Sequence, residues 1–246
     1  MGNLTGKYAV VTGAGKGIGR AIAERFLADN VAGVALLDMD EELVKATAGE
    51  LGERAIGLKC DVSDQENVNE AFKQITEKFG QVDILVNNAG ITRDAMFHKM
   101  TVDQAKKVMD VHFYGTFYCC QAVIGGMRER EYGKIVNISS TSAFGNIGQA
   151  NYAAAKAAID GFTRTLALES ARKNITVNSI APGMVNTDIL KTIPADLMEK
   201  KIAATPAQRL ADPSEIASVA SFLASDDSSW VTGNCILACG GLKMRG

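Results

Sequence analysis

The feature that most constrains the fold of this chain is a glycine-rich turn between a short apolar run and a helical pattern. The apolar run covers residues 8–11, and the turn reads Thr12-Gly13-Ala14-Gly15-Lys16-Gly17-Ile18-Gly19. Gly13 and Gly17 let the backbone turn tightly and approach a pyrophosphate, and Gly19 lets the helix pack closely on the strand. The helix N-terminus adds amide donors and a positive dipole end. This pattern predicts a dinucleotide site that includes Gly13, Lys16, Gly17, Ile18 and Gly19.

Apolar strand-like runs alternate with helical patterns along the rest of the chain. Strict alternation of this kind predicts an α/β fold: a doubly wound parallel sheet of about seven strands, with helices on both faces, in a single Rossmann domain. No linker or shift in composition divides the chain, so the domain is expected to span residues 1–246. The irregular stretch at about 184–210 suits a mobile substrate lid. The predicted strands after the first are 34–37, 55–60, 83–86, 134–138, 175–180 and 233–238.

The composition argues against several other classes of protein. The formal net charge is -2 and no basic stripe appears, so nucleic acid is not expected as a partner. No apolar stretch approaches the roughly 18–20 residues of a membrane helix, and the start has no apolar signal core. The five cysteines are scattered and the two histidines stand far apart, which predicts no metal site. We therefore expect a cytoplasmic protein with reduced thiols.

Charged side chains near the glycine turn bear on which dinucleotide is bound. Asp38 ends the second predicted strand, where a carboxylate accepts hydrogen bonds from the adenosine ribose and repels a 2′-phosphate. Lys16 could receive that phosphate or could be a plain surface lysine, and Asp40 adds negative charge. At about 4 Å a charge contact is worth roughly 1 kcal/mol in water and about 4 kcal/mol at intermediate dielectric. Two acids against one lysine therefore favour NAD, with NADP possible.

Two further strand ends carry candidate cofactor contacts. Asp61 and Val62 follow the third predicted strand, where the carboxylate could accept the adenine amino group or lie beside the N-cap of the next helix. Asn88, Ala89 and Gly90 close the fourth strand. Small residues and an amide at that position suit the close approach of a bound ribose.

Candidate catalytic groups follow the fifth predicted strand. That strand ends at Ser139 and Ser140, and Tyr152 and Lys156 lie four residues apart on the next predicted helix, one turn from each other. A free phenol has a pKa of about 10, and a nearby ammonium group lowers it toward the working range of an acid–base catalyst. Because the carboxyl ends of parallel strands meet at one edge of the sheet, these groups and the cofactor are expected to share one crevice.

Taken together, these motifs resemble the short-chain dehydrogenase/reductase family over the whole chain. They are Thr12-Gly13 with Gly17-Ile18-Gly19, Asn88-Ala89-Gly90, the serine pair, Tyr152 with Lys156, and Pro182-Gly183. Three further stretches, 88–94, 145–152 and 240–244, are similar to the 3-oxoacyl-acyl-carrier-protein reductases and acetoacetyl-coenzyme A reductases of that family. The resemblance implies a nicotinamide cofactor, a 3-oxoacyl or 3-hydroxyacyl thioester as substrate, and a homotetramer or dimer.

The resemblance also implies roles for single residues. Tyr152 would exchange a proton with the substrate oxygen. Lys156 would hold the nicotinamide ribose and lower the pKa of the phenol, and a serine would hydrogen-bond the developing alkoxide. The residues near the nicotinamide amide would be Pro182, Gly183, Val185 and Thr187. Gln149 either contacts the acyl group or is a plain loop glutamine.

Three departures from the family pattern leave alternatives open. His112 stands where the family commonly has asparagine, and it is either a proton relay that titrates near pH 6.5 or a packed structural histidine. The loop before Tyr152 is one residue short: counting back from Tyr152 selects Ser139, whereas the strand end selects Ser140, which we favour because loops absorb deletions more easily than strands. Asp38 favours NAD, although related carrier-protein reductases usually prefer NADP.

Two other functions remain open at this point. One is an NAD-dependent dehydrogenase of another secondary alcohol, such as a sterol, a polyol or a cyclic alcohol. The other is a non-catalytic dinucleotide sensor, against which the intact pair of Tyr152 and Lys156 argues.

Overall fold

A parallel sheet of seven strands runs through the computed structural model, which describes residues 3–188, 190 and 195–243. The strand order is β3-β2-β1-β4-β5-β6-β7, and every adjacent pair is parallel. The prediction of a doubly wound α/β fold is therefore confirmed. The strands are β1 (Tyr8–Thr12), β2 (Gly33–Asp38), β3 (Ala55–Lys59), β4 (Ile84–Asn87), β5 (Gly133–Ile138), β6 (Ile175–Pro182) and β7 (Cys235–Ala238).

Helices cover both faces of this sheet. They are α1 (Gly17–Ala28), α2 (Glu41–Leu51), α3 (Gln65–Phe79), α4 (Val102–Met109), α5 (Gly115–Arg130), α6 (Ala150–Ser170), α7 (Ala195–Ala203) and α8 (Pro213–Ala224). Successive strand residues point to opposite faces. Val11 accordingly packs in one core cluster with Phe26 of α1, whereas Val10 packs in the other with Phe72 of α3.

Side-chain caps fix the starts of several helices. Asp212 accepts a hydrogen bond from the Ser214 amide, while the side chain of Glu215 accepts one from the Asp212 amide, and Pro213 occupies the first turn. This capping box satisfies two amides that the helix itself cannot bond. Asp40 caps α2 in a similar way through the amide of Leu43.

The apolar pattern of residues 102–127 predicts one long helical segment, but the structure interrupts that helix. The chain forms α4, then a π-helical turn at Asp110–Tyr114, then α5. A π turn inserts one extra residue into the helical repeat, and such turns are frequent at functional sites. Here the π turn contains the buried His112. Its Nε2 atom hydrogen-bonds the backbone of Ile91, which gives the interruption a tertiary rather than a local cause.

Two smaller differences concern the second half of the sheet. β6 continues through Pro182, which pairs with Ala238, and β7 begins at Cys235 rather than at residue 233. Of the predicted lid at about 184–210, residues 189 and 191–194 lie outside the described residues. The described part of that stretch contains α7, and Val185 forms a parallel bridge with Ala211. Among the described residues, no helix has both the length and the apolar character needed to cross a bilayer.

The contact between β3 and α2 gives a direct test of this packing. A Cβ atom at Gly57 would collide with the carbonyl oxygen of Val44, and the backbone of α2 cannot move aside cheaply. We expect Gly57→Ala to lower the free energy of unfolding by about 1–3 kcal/mol. Gly49, on the same helix, has open space around it, so Gly49→Ala is expected to raise the free energy of unfolding by about 0.5–1 kcal/mol. Urea denaturation measures both values, and equal effects would contradict the packing.

Candidate active site

A cavity of about 570 Å³ lies at the carboxyl edge of the sheet. The structure brings most of the sequence-predicted site residues together there. Those lining the cavity are Gly13, Lys16, Gly17, Ile18, Asp38, Asp61, Val62, Asn88, Ala89, Gly90, His112, Tyr152, Lys156 and Thr187. The predicted residues outside this lining are Gly19, Ser140, Gln149, Pro182, Gly183 and Val185.

The glycine turn is fastened to the end of β4. Gly13 and Gly17 have positive φ angles of 61° and 60°, and a Cβ atom at Gly13 would lie 2.7 Å from the Cα atom of Ala89. The side-chain amide of Asn88 donates to the carbonyl oxygens of Thr12 and Gly13 at 3.0 and 2.9 Å. Asn88 thus fixes the shape of the turn, a function that the sequence alone did not suggest.

This turn forms a cradle that suits a pyrophosphate. A Cβ atom at Gly19 would collide with the carbonyl oxygen of Gly13, so only glycine lets α1 start this close to β1. The N-terminal turn of α1 then presents its unbonded amides and positive dipole end toward the cavity. The residues present therefore fit a dinucleotide.

At the adenosine end, only some of the charged groups counted in the sequence face the cavity. The Asp38 carboxylate lines the cavity and accepts hydrogen bonds from the amides of Gly15 and Asp40 at 3.0 and 3.2 Å. The Asp40 side chain caps α2 and does not line the cavity. The Lys16 ammonium lies 3.5 Å from a carboxylate oxygen of Asp188. Asp38 is therefore the acid that faces the adenosine end. The positive charge of Lys16 is offset by the carboxylate of Asp188.

Asp61 lies beside the N-cap of the next helix, which confirms one of its two alternatives; the contact with adenine stays a prediction. Its Oδ1 atom accepts hydrogen bonds from the Ser63 amide and hydroxyl at 3.0 and 2.6 Å, just before the N-cap Asp64 of α3. The residue also lines the cavity together with Val62.

Lys156 anchors the other end of the cavity. The side chain is buried, and its Nζ atom donates a 2.5 Å hydrogen bond to the carbonyl oxygen of Ile138, the last residue of β5. The same Nζ atom lies 5.5 Å from the ring centroid of Tyr152. The tyrosine and the lysine thus lie side by side, as their spacing predicts.

The two serines point in different directions. Ser140 starts a short 3₁₀ turn by accepting a hydrogen bond from the Ser142 amide at 3.1 Å, and it hydrogen-bonds the phenol of Tyr152. Ser139 is buried, and its hydroxyl donates to the backbone carbonyl oxygen of Lys156 at 3.4 Å. Ser140 is therefore the serine that faces the phenol.

The protein environment sets the proton affinities of these groups. Enclosure by protein atoms raises the pKa of Tyr152, and the hydrogen bond with Ser140 opposes that rise. The expected lowering of this pKa is therefore not found, because desolvation outweighs the favourable contacts. Burial lowers the pKa of Lys156 to about 7, and Asp160 acts in the opposite direction. At neutral pH the phenol keeps its proton while the lysine lies close to its titration midpoint.

His112 packs edge-on against the catalytic tyrosine. The ring centroids of His112 and Tyr152 are 5.0 Å apart at an interplanar angle of 84°. Nε2 of His112 lies 2.8 Å from the carbonyl oxygen and 3.0 Å from the amide nitrogen of Ile91. Burial, with the charge of Lys156, lowers the pKa of His112 to about 3. The expectation that this ring titrates near pH 6.5 is therefore wrong, since a buried imidazole beside a cation stays neutral.

The remaining predicted residues serve the framework around the cavity. Gln149 donates to Asp94 at 2.9 Å and accepts from the Ser142 hydroxyl at 3.0 Å, within a network of loop side chains. Val185 packs in the core. Pro182 ends β6, and a Cβ atom at Gly183 would lie 2.9 Å from the Cα atom of Cys239.

Sequence reasoning missed several lining residues. Most belong to loops whose position depends on distant contacts. Arg93 is an example: its carbonyl oxygen accepts a 2.9 Å hydrogen bond from Asn151, which ties the loop after β4 to α6. The one sequence signal that could have found them is their closeness along the chain to the predicted site residues. The missed residues are Met39, Cys60, Ser63, Ile91, Thr92, Arg93, Lys107, Val111, Ile138, Asn186 and Asp188.

Fold and site together define a dinucleotide-dependent oxidoreductase. A family model described as enoyl-(acyl carrier protein) reductase matches residues 13–243. The chain is 42% identical over 243 residues to the 3-oxoacyl-(acyl-carrier-protein) reductase FabG of Vibrio cholerae, which covers 98% of this chain and 99% of that protein. It is 44% identical over 237 residues to the acetoacetyl-CoA reductase of Shinella zoogloeoides, which covers 96% of this chain and 98% of that protein.

A further relative is a subunit of a dehydrogenase that its name links to a substituted succinyl-CoA. The chain is 39% identical over 244 residues to the (2S)-((R)-hydroxy(phenyl)methyl)succinyl-CoA dehydrogenase subunit BbsD of Thauera aromatica, and 98% of each chain is covered. This chain belongs to the short-chain dehydrogenase/reductase family.

The different orientations of the two serines predict different effects on catalysis. We expect Ser140→Ala to lower kcat about 10²–10³-fold, because it removes a donor positioned for a developing oxyanion. Ser139→Ala is the matched control, and it should leave kcat within a few-fold while lowering stability by about 1 kcal/mol through the lost buried hydrogen bond. Initial rates with acetoacetyl-CoA and thermal melting measure the two effects. The reverse order of kcat losses would contradict the assignment.

Proposed function

We propose that this chain reduces 3-oxoacyl thioesters to 3-hydroxyacyl thioesters with NADH, or runs the reverse reaction. The observation that carries the proposal is the pair of Tyr152 and Lys156 at one end of a cavity whose other end is lined by Asp38, with Ser140 beside the phenol. The printed activities of the relatives from Vibrio cholerae and Shinella zoogloeoides support the substrate class.

The mechanism assigns each polar group a single task. When bound, the nicotinamide supplies the hydride for reduction or takes it up for oxidation. The Ser140 hydroxyl donates a hydrogen bond to the substrate carbonyl oxygen, and the Tyr152 phenol gives its proton to that oxygen as negative charge develops there. Because its pKa is raised, the Tyr152 phenol stays protonated at neutral pH. The Lys156 ammonium then stabilises the phenolate that remains.

His112 contributes to this site as a neutral ring. Its Nδ1 atom is buried and has no hydrogen-bond partner among the described residues. An uncharged imidazole can still pass a proton by accepting at one nitrogen and releasing from the other. The relay and the structural role both remain compatible with the contacts of Nε2 to Ile91.

The preference for NADH follows from two charge contacts. Asp38 lines the adenosine end with its carboxylate, which repels a 2′-phosphate and accepts ribose hydroxyls. The opposing cation, Lys16, lies in an ion pair with Asp188, which reduces what it can offer to a second phosphate. NADP would therefore meet net repulsion.

The proposal includes the setting in which the enzyme works. We place it in the cytoplasm as a homotetramer or dimer, with an acyl thioester rather than nucleic acid or a membrane as its partner. Aromatic side chains at the α5–α6 face, where Phe113, Phe117 and Phe162 pack together beside the exposed Tyr114, suit a helix–helix interface between subunits.

The test is the initial rate of acetoacetyl-CoA reduction with NADH and with NADPH. We expect faster turnover with NADH, and Asp38→Asn should move the NADH/NADPH preference toward NADPH by about tenfold or more, because it removes one charge contact. Asp40→Asn is the matched control: it removes the same charge, keeps a capping side chain and should leave the preference unchanged. Turnover with NADPH alone in the unmutated protein would contradict the role of Asp38.

Two further substrates separate the alternatives. Crotonyl-CoA tests for the reduction of a carbon–carbon double bond, the activity named by the matching family model, and we expect no turnover with it. A panel of cyclic alcohols, polyols and sterols tests for another secondary-alcohol dehydrogenase. A folded protein that binds NADH and reduces no thioester would move the assignment to that panel.

A further inference from the structure

A buried acid lies directly behind the catalytic lysine and takes no part in the mechanism above. Asp160 is on α6, one helical turn beyond Lys156, and only 6% of its surface is exposed. Its Oδ1 atom accepts a 2.8 Å hydrogen bond from the hydroxyl of Ser179 on β6. Asp160 does not line the cavity, so neither substrate nor cofactor explains the presence of a carboxylate at this depth.

Burying a charge is costly unless an opposite charge lies near it. Lys156 is buried as deeply as Asp160, and the hydrogen-bond acceptor at its Nζ atom is the neutral carbonyl of Ile138. Side chains four residues apart on a helix are neighbours, with Cβ atoms about 5–6 Å apart. The lysine and the aspartate therefore form a candidate pair of buried opposite charges.

The other groups that face Lys156 supply little compensating charge. From α6 itself, Tyr152 faces it as a neutral phenol; from the π turn, His112 faces it as a neutral ring. The acids Asp38, Asp61 and Asp188 and the cations Lys16, Arg93 and Lys107 also line the cavity that Lys156 closes.

We propose that Asp160 is a positioning residue, the buried counter-charge that favours the protonated form of Lys156 at neutral pH. The inference rests on the proposed function, in which the charge of Lys156 supports proton transfer by Tyr152. Asp160 acts through the lysine alone and does not touch the reacting atoms.

The balance of effects on the lysine agrees with this geometry. Burial lowers the pKa of Lys156 to about 7, and Asp160 is the group that opposes this lowering. Without the carboxylate the pKa would fall further, and Lys156 would be a neutral amine at neutral pH. The alkaline limb of the pH profile, where Lys156 loses its proton, would then move to lower pH.

The test compares two variants of this pair. Asp160→Asn removes the charge and keeps the size and an acceptor for Ser179, whereas Ser179→Ala removes the hydrogen bond and keeps the carboxylate. The pH dependence of kcat/KM with acetoacetyl-CoA and NADH is measured for each. In Asp160→Asn we expect the alkaline limb to move down by about one pH unit or more, with the rate at the acid plateau retained. Ser179→Ala should leave the limb where it is.

A second measurement does not depend on turnover. The Kd of NADH, measured by fluorescence across the same pH range, reports the charge of Lys156 if the lysine holds the nicotinamide ribose as the family resemblance implies. We expect the same downward shift in Asp160→Asn. The unmutated protein could reduce no thioester while the pH dependence of NADH binding still shifts in Asp160→Asn. In that case the proposed substrate is wrong, and the role of Asp160 as counter-charge is supported.

An unchanged limb in folded Asp160→Asn, by both measurements, would overturn the inference and leave Asp160 as a structural partner of Ser179. If Asp160→Asn does not fold, Asp160→Leu, which removes the charge and the polar group together, carries the same expectation. Circular dichroism and thermal melting establish folding for each variant.

Discussion

The hydrogen bond from Lys156 to the carbonyl oxygen of Ile138 is the contact on which the site depends. It joins α6 to the last residue of β5 and holds a buried cation at the edge where the parallel strands end. Because the bond fixes the start of α6, Tyr152 comes to lie over the cavity, one turn before the lysine. Ser140, two residues after Ile138, then reaches the phenol. One buried hydrogen bond at the edge of the sheet thus helps to position Lys156, Tyr152 and Ser140.

The cofactor end depends on close backbone packing. Asn88 fastens the glycine turn through two carbonyl oxygens, and the Thr12 hydroxyl accepts hydrogen bonds from the amides of Asn88 and Ala89, each at 3.0 Å. These contacts join β1 to β4 at the level of the cavity floor. A rigid turn presents its amides without further ordering when a phosphate binds, which limits the entropy lost on binding.

Local patterns in the sequence were enough for the fold and for much of the site. The alternation of strands and helices, the glycine spacing and the four-residue step from Tyr152 to Lys156 are short-range features, and each has one geometric meaning. The π turn at Asp110–Tyr114, the ion pair of Lys16 with Asp188 and the bond of Asp160 to Ser179 arise from tertiary contacts that no local period encodes. The pKa values of Tyr152 and His112 likewise depend on burial, which raises the first and lowers the second.

The most direct test of this account replaces the phenol alone. Tyr152→Phe keeps the ring packed against His112 and removes the proton that the substrate oxygen is proposed to receive. We expect kcat for acetoacetyl-CoA reduction to fall by about 10²–10⁴-fold, the usual contribution of a general acid, while the Kd of NADH stays unchanged. Turnover at the unmutated rate in Tyr152→Phe would contradict the central role of this residue and return the chain to the class of dinucleotide-binding sensors.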